Sequence, residues 1–421
     1  MSDSLNERAW RTLFQRHRIL DKIERNGVFY ISANQIKAER EPRLMAKFDH
    51  TINLPKIFAD NGLSILPITR GDYAIAHFDA YHAFEPISSE IHQVTMPPYI
   101  QSINSNSIPS EAIALNCAIA TGIIADFTGD IDIIPTVSGR MGSGNFDFNI
   151  RDTLTNRQLT VDVSNSQIEI DAAYEGVNYL SLLEAKRDIS EDFLVRQLYY
   201  PYRVWQSRVT KPVKPIFLVY SNGIYHLYEY RFKNPNEYSS VELVKQKNYS
   251  IEDTEITIED IISVLDSVKL ESEPQYVPFP QADSFERVIN LCELLNGSGE
   301  YDRDKITQNY AFDARQTSYY MAAGVYLGLI KPRSYKLSVI GTAILQQSYK
   351  QRQLAYCQRI LSHKAFYEVT RLYFDRGQMP DKAEIVAIMK DSNLFHVASE
   401  STYTRRASTI RAWVEWIAGL I

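Results

Sequence analysis

Asp171, Glu184 and Lys186 are spaced as D-x(12)-E-x-K within QIEIDAAYEGVNYLSLLEAKRD, residues 167–188. In a strand, residues two apart share a face. Glu169 therefore accompanies Asp171, opposite Ile168 and Ile170, and Glu184 accompanies Lys186. Glu175-Gly176-Val177-Asn178 reads as a turn, which brings Asp171 close to Glu184. Two or three carboxylates then gather beside one ammonium, and their mutual repulsion is costly unless a cation joins them. Hard oxygen donors favour Mg2+ over zinc. Such an ion can bind a phosphate oxygen and generate a hydroxide nucleophile. A neighbouring lysine can orient or deprotonate the attacking water and offset developing phosphorane charge. These parts suit phosphodiester hydrolysis. The alternative is an amphipathic hairpin with a solvated charged face and a cross-strand ion pair.

The elements around this hairpin alternate as a mixed α/β region. Ser110 can cap a helix in which Ala112, Leu115, Ala118, Ile119 and Ile123 recur at helical spacing. IDIIPTV, NFDFNI and QLTVDV read as strands before the hairpin. A helical run, DFLVRQLYYPYRVWQ, follows it, with Glu191 and Asp192 at the end where the helix dipole favours acids. Pro201 argues for a kink or an early break there. PIFLVYSNGIYHLYEYRF then forms a second hairpin around Ser221-Asn222-Gly223. Arg140 lies in Ser138-Gly139-Arg140-Met141-Gly142-Ser143-Gly144. That stretch is either a flexible loop or a DNA-contacting loop beside the site, and its spacing is not that of a P-loop.

Asp171 with Glu184-Ala185-Lys186 resembles the PD-(D/E)XK nuclease motif, and the helix-strand-strand-strand-helix-strand order resembles that superfamily's core. Ile170 stands where the motif has Pro, a departure the superfamily tolerates. SGRMGSGNFDFNI, QIEIDA, EAKRDISEDFLVRQLYYPYRVW and RRASTIRAWVEWI together resemble type II restriction endonucleases. The resemblance covers most of residues 110–421 and, more loosely, the amino-terminal part. It implies Mg2+-dependent cleavage of double-stranded DNA at a short specific sequence, usually by a homodimer, with a companion DNA methyltransferase protecting the same site. By the same resemblance Asp171 and Glu184 are metal ligands and Lys186 the catalytic lysine. Glu111, on the preceding helix, matches an acid that some members use. Gln197 matches a glutamine near the scissile phosphate in some members, or is a helix-surface amide. Glu169 is either a further ligand or a partner of Lys186.

The carboxy-terminal part reads as helical. Residues 284–297 form an apolar helix, Asp302–Tyr310 a second and FDARQTSYYMAAGVYLGLI a third, with Asp313 near its cap and Tyr320, Ala323, Tyr326 and Leu327 as its buried stripe. KPRSYKLSVIG alternates like a small β-wing. This is the layout of a winged helix-turn-helix, whose third helix enters the major groove. Arg315, Gln316, Ser318 and Tyr319 head that helix, and Arg and Gln suit guanine and adenine edges. Lys331, Arg333 and Lys336 on the wing suit phosphates. Asp381–Lys390 and a final helix suggest a second DNA-binding helix-turn-helix, the final helix carrying Thr402, Arg405, Arg406, Ser408 and Thr409 at its polar head, with Ile410, Trp413, Val414 and Ile417 inward. Winged helices also serve as protein-docking or dimerisation units.

Composition agrees with these parts. The net charge of −6 over 421 residues does not itself favour nucleic acid. It is uneven, however: residues 301–421 hold 17 Lys+Arg against 10 Asp+Glu, and residues 251–300 hold 12 acids against 2 bases. A basic end behind an acidic connector suits local anion binding. Three widely separated cysteines give neither a disulfide framework nor a zinc motif. No run of 18 apolar residues is present, and the charged amino terminus lacks the apolar core of a signal peptide. The expectation is a reduced, cytoplasmic protein without a membrane segment. The organisation expected is an amino-terminal α+β region of open role (1–105), a PD-(D/E)XK core (106–250), an acidic connector with a short helix (251–283) and a helical winged-helix DNA-recognition region (284–421). A structure-selective or repair nuclease of the same superfamily, and a non-catalytic winged-helix DNA-binding protein, are the competing readings.

Overall fold

Ile216, Phe217, Leu218 and Val219 form an unbroken apolar run because their strand is buried on both faces. A computed structural model describes residues 4–104, 108–297, 299, 301–309 and 314–421. Among the described residues a seven-stranded mixed sheet has the order Ile91–Gln93, Val241–Ser250, Ile224–Phe232, Val213–Ser221, Leu180–Lys186, Gln167–Glu175, Ile134–Gly142. The last three pair antiparallel. Leu180–Lys186 then runs parallel to Val213–Ser221. A parallel pair needs a crossover, and helix Arg196–Gln206 supplies it. Ile216 and Leu218 pack under Leu115, Ile123 and Phe127 of helices Glu111–Ala120 and Ile123–Thr128. Phe217 and Val219 pack under Leu198, Tyr199 and Val204 of the crossover helix. The protein is therefore mixed α/β with a mainly helical carboxy-terminal region.

Local signals account for the boundaries. The Ser110 side chain accepts from Ile113 N–H at 3.3 Å and starts helix Glu111–Ala120. Asn222 and Gly223 both take left-handed φ, 53° and 82°, as a two-residue hairpin requires. The turn between Gln167–Glu175 and Leu180–Lys186 is held from outside. Asp130, buried, accepts from the backbone of Ile131, Asn178 and Tyr179 and from the Asn178 side chain, at 2.8–3.1 Å. Gly176 is needed there, since a Cβ would collide with the Asp130 carboxylate and lie 2.9 Å from the Ile131 carbonyl. Burial opposes ionisation of Asp130, but its hydrogen bonds prevail and hold the carboxyl below its ordinary range. Asp130→Ala is expected to cost about 2–3 kcal/mol in urea unfolding at neutral pH. The gap should close as pH falls through the depressed folded-state value, where the wild-type carboxylate is protonated and loses its advantage.

Several expectations are corrected. Residues 81–93 do not belong with the amino-terminal region. Ile91–Gln93 is an edge strand of the main sheet, and Tyr81–Ala83 pairs with Asp192–Leu194. The amino-terminal unit proper packs helices Leu5–His17 and Ile19–Asn26 onto strands Val28–Ser32, Asp72–Ala76 and Ser64–Pro67, around Trp10, Leu13, Phe14 and Phe58. The helix expected from Glu191 begins at Arg196, because Asp192–Leu194 is claimed by strand pairing. It runs unbroken through Pro201, which is buried and leaves the Gln197 carbonyl without its i+4 donor. NFDFNI and QLTVDV form their own two-stranded sheet, Asn145–Arg151 with Gln158–Ser164.

Beyond the connector, with its helix Ile258–Ser267, helices Phe285–Leu295, Arg303–Asn309 and Ala314–Tyr326 follow as expected. Tyr310 and Asp313 lie outside the described residues. Tyr320, Ala323, Tyr326 and Leu327 are buried. The wing is reduced: among the described residues its pairing is a bridge between Ile330 and Leu337, after which Val339–Leu345 is helical. Helix Glu400–Ala418 buries Ile410, Trp413, Val414 and Ile417. Thr409, assigned to the polar head, is buried too, and its hydroxyl donates to Asp283 at 2.6 Å. The hairpin tip at Ser221–Asn222 inserts into this region, where buried Asn290, Arg352 and Gln353 and the partly buried Glu293 hydrogen-bond it.

Candidate active site

Pairing between Gln167–Glu175 and Leu180–Lys186 stops at Ala172–Leu183, one position before Asp171 would face Glu184. The Asp171 carboxylate takes up the slack. Its Oδ2 accepts from Ala185 N–H at 2.8 Å, a donor that a continued ladder would have used. On its other side the Asp171 strand is bulged. Gly139 pairs with Ile170 and Val137 with Ala173, so Asp171 and Ala172 together oppose Ser138. Gly139 carries a φ of 92° at that point. A bulge breaks the period of two and re-aims the side chain it carries. Ile170 and Ala173 consequently join one apolar cluster, which strict alternation would forbid.

Glu184 and Lys186 sit where the strand leaves this splayed end. Lys186 Nζ donates to Glu184 Oε1 at 2.5 Å, and Gln197 Nε2 donates to the same oxygen at 2.6 Å. The two side chains are only 9% and 18% exposed, so the pair is largely shielded from water. Negative charge is in excess here, and every proton is held tightly. Burial, with the Asp171 charge behind it, pushes Glu184 up to about 7 against the pull of Lys186. Burial also raises Glu111, helped by Asp171 and Asp188 and opposed by Lys186. For Lys186, burial favours the neutral amine, but Glu184, Glu111 and Asp171 outweigh it and keep the ammonium protonated. Glu111, in the first turn of its helix, is thus within electrostatic reach of the cluster.

The structure therefore brings together Asp171, Glu184, Lys186 and Gln197, with Glu111 within electrostatic reach. Glu169 is not among them: it ion-pairs at 3.2 Å with Arg140, its exposed cross-strand neighbour. Arg140 is correspondingly on strand Ile134–Gly142, not in a loop. Gln197 is no surface amide, since it is bonded to Glu184.

Family comparisons divide the chain in three. Residues 7–75, 76–250 and 287–421 each match a family described as a domain of unknown function, DUF6996, DUF6997 and DUF7226 respectively. The middle match spans the whole sheet and Glu111, Asp171, Glu184, Lys186 and Gln197. No curated protein and no solved structure matches the chain.

Among the described residues no three His, Cys, Asp or Glu side chains converge closely enough to hold a metal ion by themselves. Mg2+ does not need three, because it is usually bound through one or two carboxylates, waters and substrate phosphate. The donors present fit that mode. Asp171 Oδ1 and Glu184 Oε2 have no hydrogen-bond partner among the described residues, and Gln197 Oε1 is a buried acceptor awaiting a donor such as an ion-bound water. Gln197→Ala removes a donor from the charged form of Glu184. If Mg2+ binds here, the variant should need about ten times more ion for the same thermal stabilisation, read from melting curves over a Mg2+ titration.

The basic residues lie elsewhere. Arg315 donates from Nε to the Tyr319 hydroxyl at 2.6 Å and stacks over its ring. Gln316 and Ser318 share that helix, Ser318 exposed. Lys331, Arg333 and Lys336 are all exposed around the reduced wing. Arg405 is exposed, whereas Arg406 is partly buried, with its Nε unpartnered and its ionisation disfavoured first by burial and then by Arg405.

Proposed function

We propose that the protein is a Mg2+-dependent endonuclease of the PD-(D/E)XK type that cuts double-stranded DNA at a specific sequence, as type II restriction endonucleases do. One observation carries this reading: Asp171, Glu184 and Lys186 meet at the bulged, splayed end of two strands. The surrounding arrangement of helix, three antiparallel strands, crossover helix and parallel strand supports it. Asp171 and Glu184 would hold the ion, which would supply charge for a bound phosphate, with Glu111 within electrostatic reach. Lys186 places a positive charge where the phosphorane becomes more negative. Gln197 holds Glu184 in place.

The carboxy-terminal helices read the DNA. Arg315 and Gln316, with Ser318 and Tyr319, face base edges. Lys331, Arg333, Lys336, Arg405 and Arg406 neutralise phosphates, and Arg140 does the same next to the site. A homodimer would set two such sites across the duplex, and a companion methyltransferase would protect the same sequence in the host. Among the described residues no helix is long and apolar enough to cross a membrane.

Plasmid DNA incubated with the protein and Mg2+, with EDTA as control, tests the reading. Discrete fragments whose ends share one sequence are expected. Smearing or branch-dependent cuts would point instead to a structure-selective nuclease. Intact plasmid across many substrates would leave a DNA-binding protein whose acids are structural.

A further inference from the structure

The nine residues Arg187–Val195, a connector separate from the acidic segment 251–283, join Lys186 to the helix that carries Gln197, and apart from strand Asp192–Leu194, paired with Tyr81–Ala83, they have no regular structure of their own. Their shape is imposed by neighbours. One side is gripped by the helical region, where the Asn290 side chain donates to the Arg187 carbonyl at 2.7 Å and accepts from Ile189 N–H at 3.1 Å. The other side is gripped by the amino-terminal unit through Asp49, His50 and Thr51. Leu194 N–H donates to the Asp49 carbonyl at 3.0 Å, and Thr51 N–H donates to the Asp192 carboxylate at 3.2 Å. His50 lies between them, 5% exposed. Its Nδ1 is 2.6 Å from the Asp192 carbonyl and 3.5 Å from Asp192 Oδ1, and its Nε2 is 3.3 Å from Asp188 Oδ2.

Both ring nitrogens face oxygen acceptors, so both act as donors only in the imidazolium form. Burial opposes that charge, but the nearby Asp188 and Asp192 carboxylates and the Asp192 carbonyl outweigh it and hold the imidazole up to about 10. The charged groups around His50 are Asp188 and Asp192 of the connector and, next to it in the chain, Asp49, itself paired with Lys47 at 3.4 Å. Asp188 also acts on Glu111, and Asp49 acts on Glu184. Asp49 and Asp188 are therefore within electrostatic reach of the acidic cluster.

We propose that His50 is a positioning residue of the active site: by bridging Asp188 to Asp192 it fixes the connector that aims Lys186 at one end and Gln197 at the other. The catalytic half of this inference rests on the nuclease reading. The structural half does not. A displacement of about 1 Å in a reacting group is enough to cost about 100-fold in rate.

The test compares wild type, His50→Ala and His50→Gln as full-length proteins, by single-turnover cleavage at saturating Mg2+, by DNA dissociation constant and by peptide-resolved hydrogen exchange. His50→Ala should cut about 100-fold more slowly with its DNA affinity unchanged, and its faster exchange should be confined to residues 187–197. His50→Gln keeps a donor for one acceptor and should recover part of the rate; it also carries the test if the alanine variant fails to fold. Cutting within about twofold of wild type, or unchanged exchange in 187–197, overturns the proposal. So does exchange that rises evenly along the chain in both variants, which marks a general folding role. If wild type cuts no DNA, the nuclease reading fails. Exchange in 187–197 then decides alone whether His50 holds the connector.

Discussion

Lys186→Ala is expected to lower DNA cleavage about 1,000-fold while leaving DNA affinity within a few-fold of wild type. Lys186 is held protonated by three surrounding carboxylates and bonds Glu184 directly. A permanent ammonium in a shielded site stabilises charge that develops on a transferring phosphoryl group far better than one in water. Loss of the ammonium should not unfold the chain. Glu184 already retains its proton up to about pH 7, and without its cation it will stay neutral instead of leaving a naked buried charge. The measurement is single-turnover cleavage alongside a filter-binding or anisotropy titration. A variant that cuts at the wild-type rate would refute the assigned site.

Asp171→Asn should be nearly as damaging, again about 1,000-fold, and for a different reason. The amide can still accept from Ala185 N–H through its oxygen, so the splayed strand ends stay in register. What disappears is the negative charge that would hold the ion. Thermal denaturation separates the two effects. An ion at about 100 times its dissociation constant adds about 2.7 kcal/mol to wild-type stability, and Asp171→Asn should lose most of that gain while melting normally without Mg2+.

The wild-type response should also depend on pH. Glu184 is raised above its unfolded-state value, so the ion-free protein is favoured at low pH and loses stability as pH rises through about 7. Mg2+ must displace that proton, so about ten times more ion should be needed at pH 6 than at pH 8. A stabilisation by Mg2+ that is equal at both pH values, or equal in wild type and Asp171→Asn, would remove Asp171 and Glu184 as the ligands.

The amino-terminal unit holds the connector after Lys186 through residues that its own sequence does not mark. MAKFDHTINLPKIF holds Asp49, His50 and Thr51 in an unremarkable stretch between short elements. Their partners lie in the connector after Lys186; His50 and Asp192 are 142 residues apart. Strands Tyr81–Ala83 and Ile91–Gln93 are short and carry weak patterns, yet both are paired with elements of the middle region.

By itself the sequence determined the mixed α/β order, the hairpin carrying Asp171, Glu184 and Lys186, the Ser110 cap, the Asn222-Gly223 turn and the apolar stripe of helix Ala314–Tyr326. Each of these is written in residues a few places apart, where alternation, capping and turn chemistry act. Tertiary structure alone decided the bulge at Asp171 and Ala172, the pairing of Glu169 with Arg140, the docking of Gln197 onto Glu184 and the grip of His50 on the connector. A bulge is a count of residues against a partner strand, and a buried charge takes its partners from whatever the rest of the fold brings near. Neither quantity exists until the chain has folded.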